Sequence, residues 1–113
     1  MSARPVIFHS VAELWGVDTN LLSHRPKLVQ ALNHLAQDLK LHVIKRFAHQ
    51  FKPHGISVVW VIGESHLAIH TWPEYGFLHF DIVSCAKEAD LSDLPKALKD
   101  AFHPKTLKCH KVA

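Results

Sequence analysis

One stretch of eleven residues, 64–74, is dense in groups that could carry chemistry: a serine hydroxyl, two imidazoles and two carboxylates. A serine next to a base is a candidate nucleophile, and an imidazole, with an ordinary pKa of about 6.5, exchanges protons near neutral pH. No G-x-S-x-G turn surrounds Ser65 and no acid evidently completes a hydrolase triad, which disfavours that class. Glycine-rich phosphate loops are also absent from the sequence. On residue types alone, a buried strand with polar residues near a turn remains the simplest interpretation.

Histidines are unusually abundant, at eleven, but they are scattered along the chain. His66 and His70 would stand about 13 Å apart on a strand, too far to share an ion. We therefore expect no metal cofactor. The two cysteines, Cys85 and Cys109, are too few for a disulfide framework and favour a reducing compartment.

Length and composition predict one globular domain spanning residues 1–113, with 48% apolar and 20% charged residues. The formal charge of +3 does not indicate nucleic-acid binding. The longest apolar run, Val58–Ile62, is too short for a signal peptide or a membrane span. The expected location is the cytoplasm, without a membrane partner.

Hydrophobic periodicity predicts the element order β-α-β-β-β-β-α-β. Leu28, Leu32, Leu35 and Leu39 recur at helical spacing behind Ser23, a candidate helix N-cap. A second helix is predicted over Ser92–Phe102, and turns at Pro53–Gly55 and Pro73–Gly76. The six predicted strands span residues 6–15, 41–51, 56–63, 65–72, 77–85 and 106–112.

Two helices can cover only one face of so wide a sheet, so the predicted fold class is α+β, a two-layer sandwich with a mostly antiparallel sheet. The uncovered face would expose Val59, Val61, Phe77 and Val83 among titratable groups. Because a monomer of this size rarely leaves such a surface wet, we expect a homodimer in which the sheets pack face to face.

Residues 64–74 closely resemble the self-cleavage segment of the prokaryotic S-adenosylmethionine decarboxylase proenzymes. Three further blocks resemble the family in order and spacing: His9 with residues 11–13, residues 49–57, and residues 81–85. The resemblance covers most of the chain from His9 to Phe102. It implies a pyruvoyl-dependent enzyme that makes its own cofactor, without pyridoxal phosphate or a metal.

In that family, serinolysis occurs at the position matching the Glu64–Ser65 bond. The resemblance therefore implies a β chain of residues 1–64 and an α chain of residues 65–113 that begins with a pyruvoyl group derived from Ser65. His70 corresponds to the base of this reaction, and Ser57 to the hydroxyl that stabilises its intermediate. The pyruvoyl carbonyl would form a Schiff base with the substrate and act as the electron sink. Cys85 corresponds to the acid that protonates the substrate carbon.

The resemblance also assigns Phe51 to stacking on adenine or the sulfonium and Glu74 to the ribose hydroxyls. Trp72 is expected either in the pocket wall or in the core. It implies S-adenosylmethionine decarboxylation, which supplies the aminopropyl donor for spermidine biosynthesis. L-ornithine and L-arginine decarboxylases of the same chemistry are the alternative, and a non-catalytic regulatory homologue is a more distant one. Each site is expected to draw residues from both protomers.

Overall fold

The computed structural model describes residues 7–63, 65–85 and 91–112, and these form a six-stranded sheet with helices on one face. The strands are β1 (Ile7–Trp15), β2 (Val43–Gln50), β3 (Ile56–Ile62), β4 (Ser65–Trp72), β5 (Phe77–Cys85) and β6 (Thr106–Lys111). The helices are α1 (Thr19–Ser23), α2 (Arg25–Asp38) and α3 (Leu94–Phe102), with single 3-10 turns at Pro73–Tyr75 and Leu91–Asp93.

All neighbouring strands of the sheet are antiparallel, in the order β2-β3-β4-β5-β1-β6. Consecutive strands from β2 to β5 form a meander, whereas β1 joins the sheet between β5 and β6. The two-layer α+β architecture predicted from the sequence is confirmed.

Alternation along the strands sends one set of side chains into the core beneath the helices. On β3 the buried set is Ile56, Val58, Trp60 and Ile62, and the leucine stripe of α2 packs on the same side. Thr71 ties the layers together, since its Oγ1 accepts a hydrogen bond from the Ile56 amide at 2.9 Å and donates one to the Leu22 carbonyl at 2.8 Å.

The opposite side of the sheet, which we call the open face, has no helix over it in the described part of the chain. Val59 and Val61 remain 41% and 37% exposed there, as the sequence predicted. Phe77 and Val83 are half-buried. The alternate side chains of the three central strands line this face: Ser57, Val59 and Val61; His66, Ala68, His70 and Trp72; Phe77, His79, Asp81, Val83 and Cys85.

Two helix starts differ from the sequence prediction. Ser23 is not the N-cap of the long helix, because it is the last residue of the short helix α1 and its Oγ donates to the Thr19 carbonyl at 2.8 Å. His24 occupies the cap position instead, without a side-chain hydrogen bond. The second predicted helix begins at Leu94 rather than Ser92, since residues 91–93 form a 3-10 turn.

Candidate active site

Ser57 and His70 lie directly opposite each other on the neighbouring strands β3 and β4. The Ser57 Oγ is 2.6 Å from the His70 Nδ1, a hydrogen-bond distance. Both side chains lie on the open face, so the pair is directed away from the helical layer. The geometry joins a hydroxyl to an imidazole, an arrangement suited to proton transfer.

Ser65 and Cys85 meet at one end of the sheet, where β4 begins and β5 ends. The Cys85 amide donates a hydrogen bond to the Ser65 Oγ at 3.1 Å, and Ser65 is 9% exposed. The strand end therefore holds the serine hydroxyl in place beside the residue that carries the thiol. Glu64, and with it the predicted cleavage bond, lies outside the described residues.

These two pairs are separated within one chain. Ser65 and His70 are five residues apart on β4, or about 17 Å along an extended strand. Because five is odd, their side chains also point to opposite faces of the sheet, which the burial of Ser65 and the exposure of His70 confirm. A single copy of the chain therefore does not bring the four predicted catalytic residues into one cluster.

The three predicted substrate-binding residues gather at the Ser57–His70 end of the sheet. Phe51 follows β2, is 48% exposed and meets His49 edge-on at 4.6 Å between ring centroids. Trp72 ends β4 on the open face, with its ring centroid 6.4 Å from that of His70. Glu74 is exposed in the 3-10 turn that follows. Aromatic surface and a carboxylate thus surround the hydroxyl–imidazole pair.

The turn that carries Phe51 is fixed by backbone contacts. The Phe51 amide donates to the Gly55 carbonyl at 2.8 Å, and Gly55 has φ +101°, a left-handed conformation that a side chain would strain. Within the same turn, the His54 Nε2 lies 3.9 Å from the Glu74 Oε1. This contact spans the gap between the two predicted nucleoside-binding segments.

A second side-chain pair on the open face, an imidazole and a carboxylate, has no role in the sequence-based hypothesis. The His9 Nε2 and the Asp81 Oδ1 are 2.6 Å apart, and each side chain is 31% exposed. Both residues belong to sequence blocks that we singled out, yet their contact depends on β1 pairing with β5, which neither periodicity nor spacing indicates. The signal that the sequence offered was strand alternation, which places the side chains of His9 and Asp81 on the same face of the sheet.

Cys109 differs from Cys85 in its surroundings. It lies on the helix-facing side of β6 and packs against the core. Burial raises the pKa of the Cys109 thiol, which favours its neutral form. A structural role agrees with that environment.

Two absences concern only the described segments, 7–63, 65–85 and 91–112. No three or more His, Cys, Asp or Glu side chains come together there in a group that could hold a metal ion. Nor do these segments contain a helix that is long and apolar enough to cross a membrane.

The fold is an antiparallel sheet with helices on one face, and the site is a serine hydroxyl held at the start of a strand, beside a thiol-bearing residue. The family model for S-adenosylmethionine decarboxylase matches residues 8–113. The chain belongs to the S-adenosylmethionine decarboxylase family.

Curated relatives from bacteria and archaea carry the name S-adenosylmethionine decarboxylase proenzyme. The Archaeoglobus fulgidus protein is 32% identical over 98 residues, which cover 87% of this chain and 88% of that protein. The Acetivibrio thermocellus protein is 35% identical over 104 residues, or 92% of this chain and 84% of the relative. The Thermosipho africanus protein is 38% identical, but the alignment spans 63% of its length.

Solved structures agree with the fold. The adenosylmethionine decarboxylase of Aquifex aeolicus superposes with a TM-score of 0.81 at 28% identity, covering 96% of this chain and 90% of that one. The Trypanosoma brucei AdoMetDC-delta26 monomer has a TM-score of 0.70 at 18% identity and is covered over 44% of its length. At that identity the second likeness concerns the fold alone.

Proposed function

We propose that the chain is the proenzyme of a pyruvoyl-dependent S-adenosylmethionine decarboxylase. Self-cleavage between Glu64 and Ser65 would give a β chain, residues 1–64, and an α chain, residues 65–113. The observation that carries the proposal is the contact between Ser65 and Cys85, because it puts the hydroxyl to be converted beside the residue whose thiol would serve as acid. Family membership and the proenzymes among the relatives support it.

The residues present fit a pyruvoyl group at position 65. Only a hydroxyl or thiol side chain can attack the preceding carbonyl, and Ser65 supplies a hydroxyl that is held by the Cys85 amide. Such a group supplies an electrophilic carbonyl that acts as the electron sink for decarboxylation. The chain's own residues have to position the substrate, remove a proton from the Ser65 Cα during processing, and protonate the substrate carbon during turnover.

The base for processing has to come from a second copy of the chain. His70 is about 17 Å from Ser65 along β4, which is too far for it to reach the Ser65 of its own chain. The open face, with its exposed valines, offers the surface through which two sheets would pack. In this arrangement the Ser57–His70 pair of one protomer serves the Ser65 and Cys85 of its partner.

Association through the open face can be tested with Val61→Lys. The substitution would put an unpaired ammonium group into each half of a two-fold contact, and we expect dimerisation to weaken by about a hundredfold or more. Sedimentation or light scattering at micromolar concentration measures the effect. Gln30→Lys, on the exposed side of α2, is the control and should leave the dimer intact. A wild-type monomer, or an unaffected Val61→Lys dimer, would contradict this packing.

S-adenosylmethionine is favoured over L-ornithine or L-arginine by the aromatic surface beside the Ser57–His70 pair. Phe51 presents a half-exposed ring, and an aromatic face attracts a sulfonium cation and stacks on adenine. Glu74, in the adjacent turn, can accept two hydrogen bonds from ribose hydroxyls. Neither ornithine nor arginine carries a nucleobase or a ribose that could contact these two residues. The product would be the aminopropyl donor for spermidine biosynthesis.

Released carbon dioxide, measured separately with the three amino acids, tests the substrate assignment. We expect turnover with S-adenosylmethionine alone. Phe51→Ala should raise the KM for S-adenosylmethionine by about 5–150-fold, since base–aromatic stacking contributes about 1–3 kcal/mol. Phe51→Trp should retain most of the affinity. If the protein decarboxylates ornithine or arginine and Phe51→Ala does not change that rate, the alternative substrates are favoured. If a fully processed protein releases no carbon dioxide, a regulatory homologue is favoured.

A further inference from the structure

The His9–Asp81 pair lies beside Cys85 on the open face. His9 of β1 stands directly opposite Val83 of β5. Asp81 and Cys85 are two residues to either side of Val83, so both are diagonal neighbours of His9 on the same face of the sheet. Diagonal partners in an antiparallel pair have Cα atoms about 7–8 Å apart, within reach of an aromatic side chain.

We propose that His9, oriented by Asp81, returns the proton that Cys85 gives up in each turnover. The proposal rests on the acid role proposed above for Cys85. The 2.6 Å contact from the His9 Nε2 to the Asp81 Oδ1 assigns one ring nitrogen to the carboxylate. A carboxylate held in this way fixes the orientation and the tautomer of an imidazole, as in other carboxylate–histidine pairs. The Nδ1 is then the nitrogen available for exchange with the thiol.

The proton balance of decarboxylation requires such a step. Loss of carbon dioxide leaves an electron pair on the substrate carbon, and the S–H bond of Cys85 breaks as its proton moves to that carbon. The thiolate then takes the Nδ1 proton of the His9 imidazolium, and the neutral imidazole is reprotonated from water. One solvent proton is consumed for each carbon dioxide released, and no electron is transferred to or from an outside reagent.

His66 is the other imidazole next to this position. It faces Val83 from β4, so it is also diagonal to Cys85. Its side chain is exposed, and among the described residues no hydrogen bond or ion pair of the His66 ring to a carboxylate is present. Orientation by Asp81 therefore distinguishes His9 from His66, and the two histidines can be compared directly.

The first test uses the unprocessed Ser65→Ala chain, so that it does not depend on catalysis. An imidazole within reach of a thiol can take its proton, and the thiolate is the form that reacts with iodoacetamide. At pH 7 we expect His9→Gln to slow alkylation of Cys85 by about three- to tenfold, while Cys109 in the same molecule reacts at an unchanged rate. Asp81→Asn should give a smaller effect in the same direction. If His9→Gln does not fold, Asp81→Asn replaces it as the test variant. Unchanged Cys85 reactivity in the folded variants would overturn the proposal.

The second test uses the processed enzyme. His9→Gln should lower kcat at least about tenfold, part of the 10²–10⁴-fold typical of general acid catalysis, with little change in KM. It should also increase the fraction of α chain that ends in alanine after turnover, which a purely structural role would not do. His110→Gln, on β6, is the control and should change neither kcat nor the fraction of alanine-terminated α chain.

The remaining outcomes separate this proposal from the function on which it rests. A slow Cys85→Ala enzyme combined with a His9→Gln enzyme at full rate would overturn the role of His9 alone. If Cys85→Ala retains full turnover, the acid role of Cys85 fails and the proposal fails with it. If His66→Gln lowers kcat and His9→Gln does not, proton return is assigned to His66 and the assignment to His9 is overturned.

Discussion

Ser65→Ala is expected to leave the 113-residue chain uncut and without decarboxylase activity. An alanine methyl cannot attack the preceding carbonyl, so no ester forms and no pyruvoyl group follows. Intact-mass analysis would show one chain, whereas the wild type would show two, the larger spanning residues 1–64. The loss should be complete rather than partial, because the substitution removes both the nucleophile and the source of the cofactor. An active enzyme that runs as a single uncut chain would contradict the pyruvoyl mechanism.

His70→Ala should also prevent processing, but at a later stage. With the Ser65 hydroxyl present and the base absent, we expect the chain to stop at the ester, which hydroxylamine would split between residues 64 and 65. Resistance to hydroxylamine would remove His70 from the role of base.

Co-expression of the Ser65→Ala and His70→Ala chains tests the arrangement across two protomers. In a mixed dimer, one site combines the Ser65 of the His70→Ala chain with the intact His70 of its partner. We therefore expect cleavage of the His70→Ala chain alone, to at most half of the total protein. No cleavage in a verified mixed dimer would show that serine and base act within one chain.

Cys85→Ala is expected to process normally and then to turn over slowly. If the thiol protonates the substrate carbon, its removal should reduce turnover per processed site by about 10²–10⁴-fold. Misdirected protonation would convert the cofactor to alanine, so the mass of the α chain should change during turnover. Turnover and α-chain mass should therefore be measured on the same sample.

Cys109→Ala is the matched control for the loss of a thiol. Cys109 packs against the core from β6, and its substitution should lower stability modestly without changing the rate per folded site. A Cys85→Ala enzyme with a normal rate and no alanine-terminated α chain would place the acid elsewhere, with His70 the next candidate.

The sequence by itself determined the layers of the fold. The helix and strand periodicities, 3.6 and 2, are local properties of the sequence, and they predict two helices and a wide sheet. Because two helices can cover only one face of that sheet, one covered and one uncovered face follow. The resemblance of residues 49–57, 64–74 and 81–85 to the family likewise identified Ser57, Ser65, His70 and Cys85 as candidates, since each block is contiguous in the chain. Local signals were weaker at helix ends, where Ser23 was wrongly predicted as a cap because α1, the helix that it ends, is too short to show periodicity.

Tertiary structure decided which of those groups meet. The contact of Ser57 with His70 depends on the register between β3 and β4, and the separation of Ser65 from His70 depends on the parity and length of one strand. Insertion of β1 between β5 and β6 brings His9 to Asp81, residues 72 positions apart, and no local pattern predicts that pairing. The sequence specifies which chemical groups are present, whereas strand order and register fix the distances between them, because hydrogen-bonded pairing joins segments that are remote along the chain.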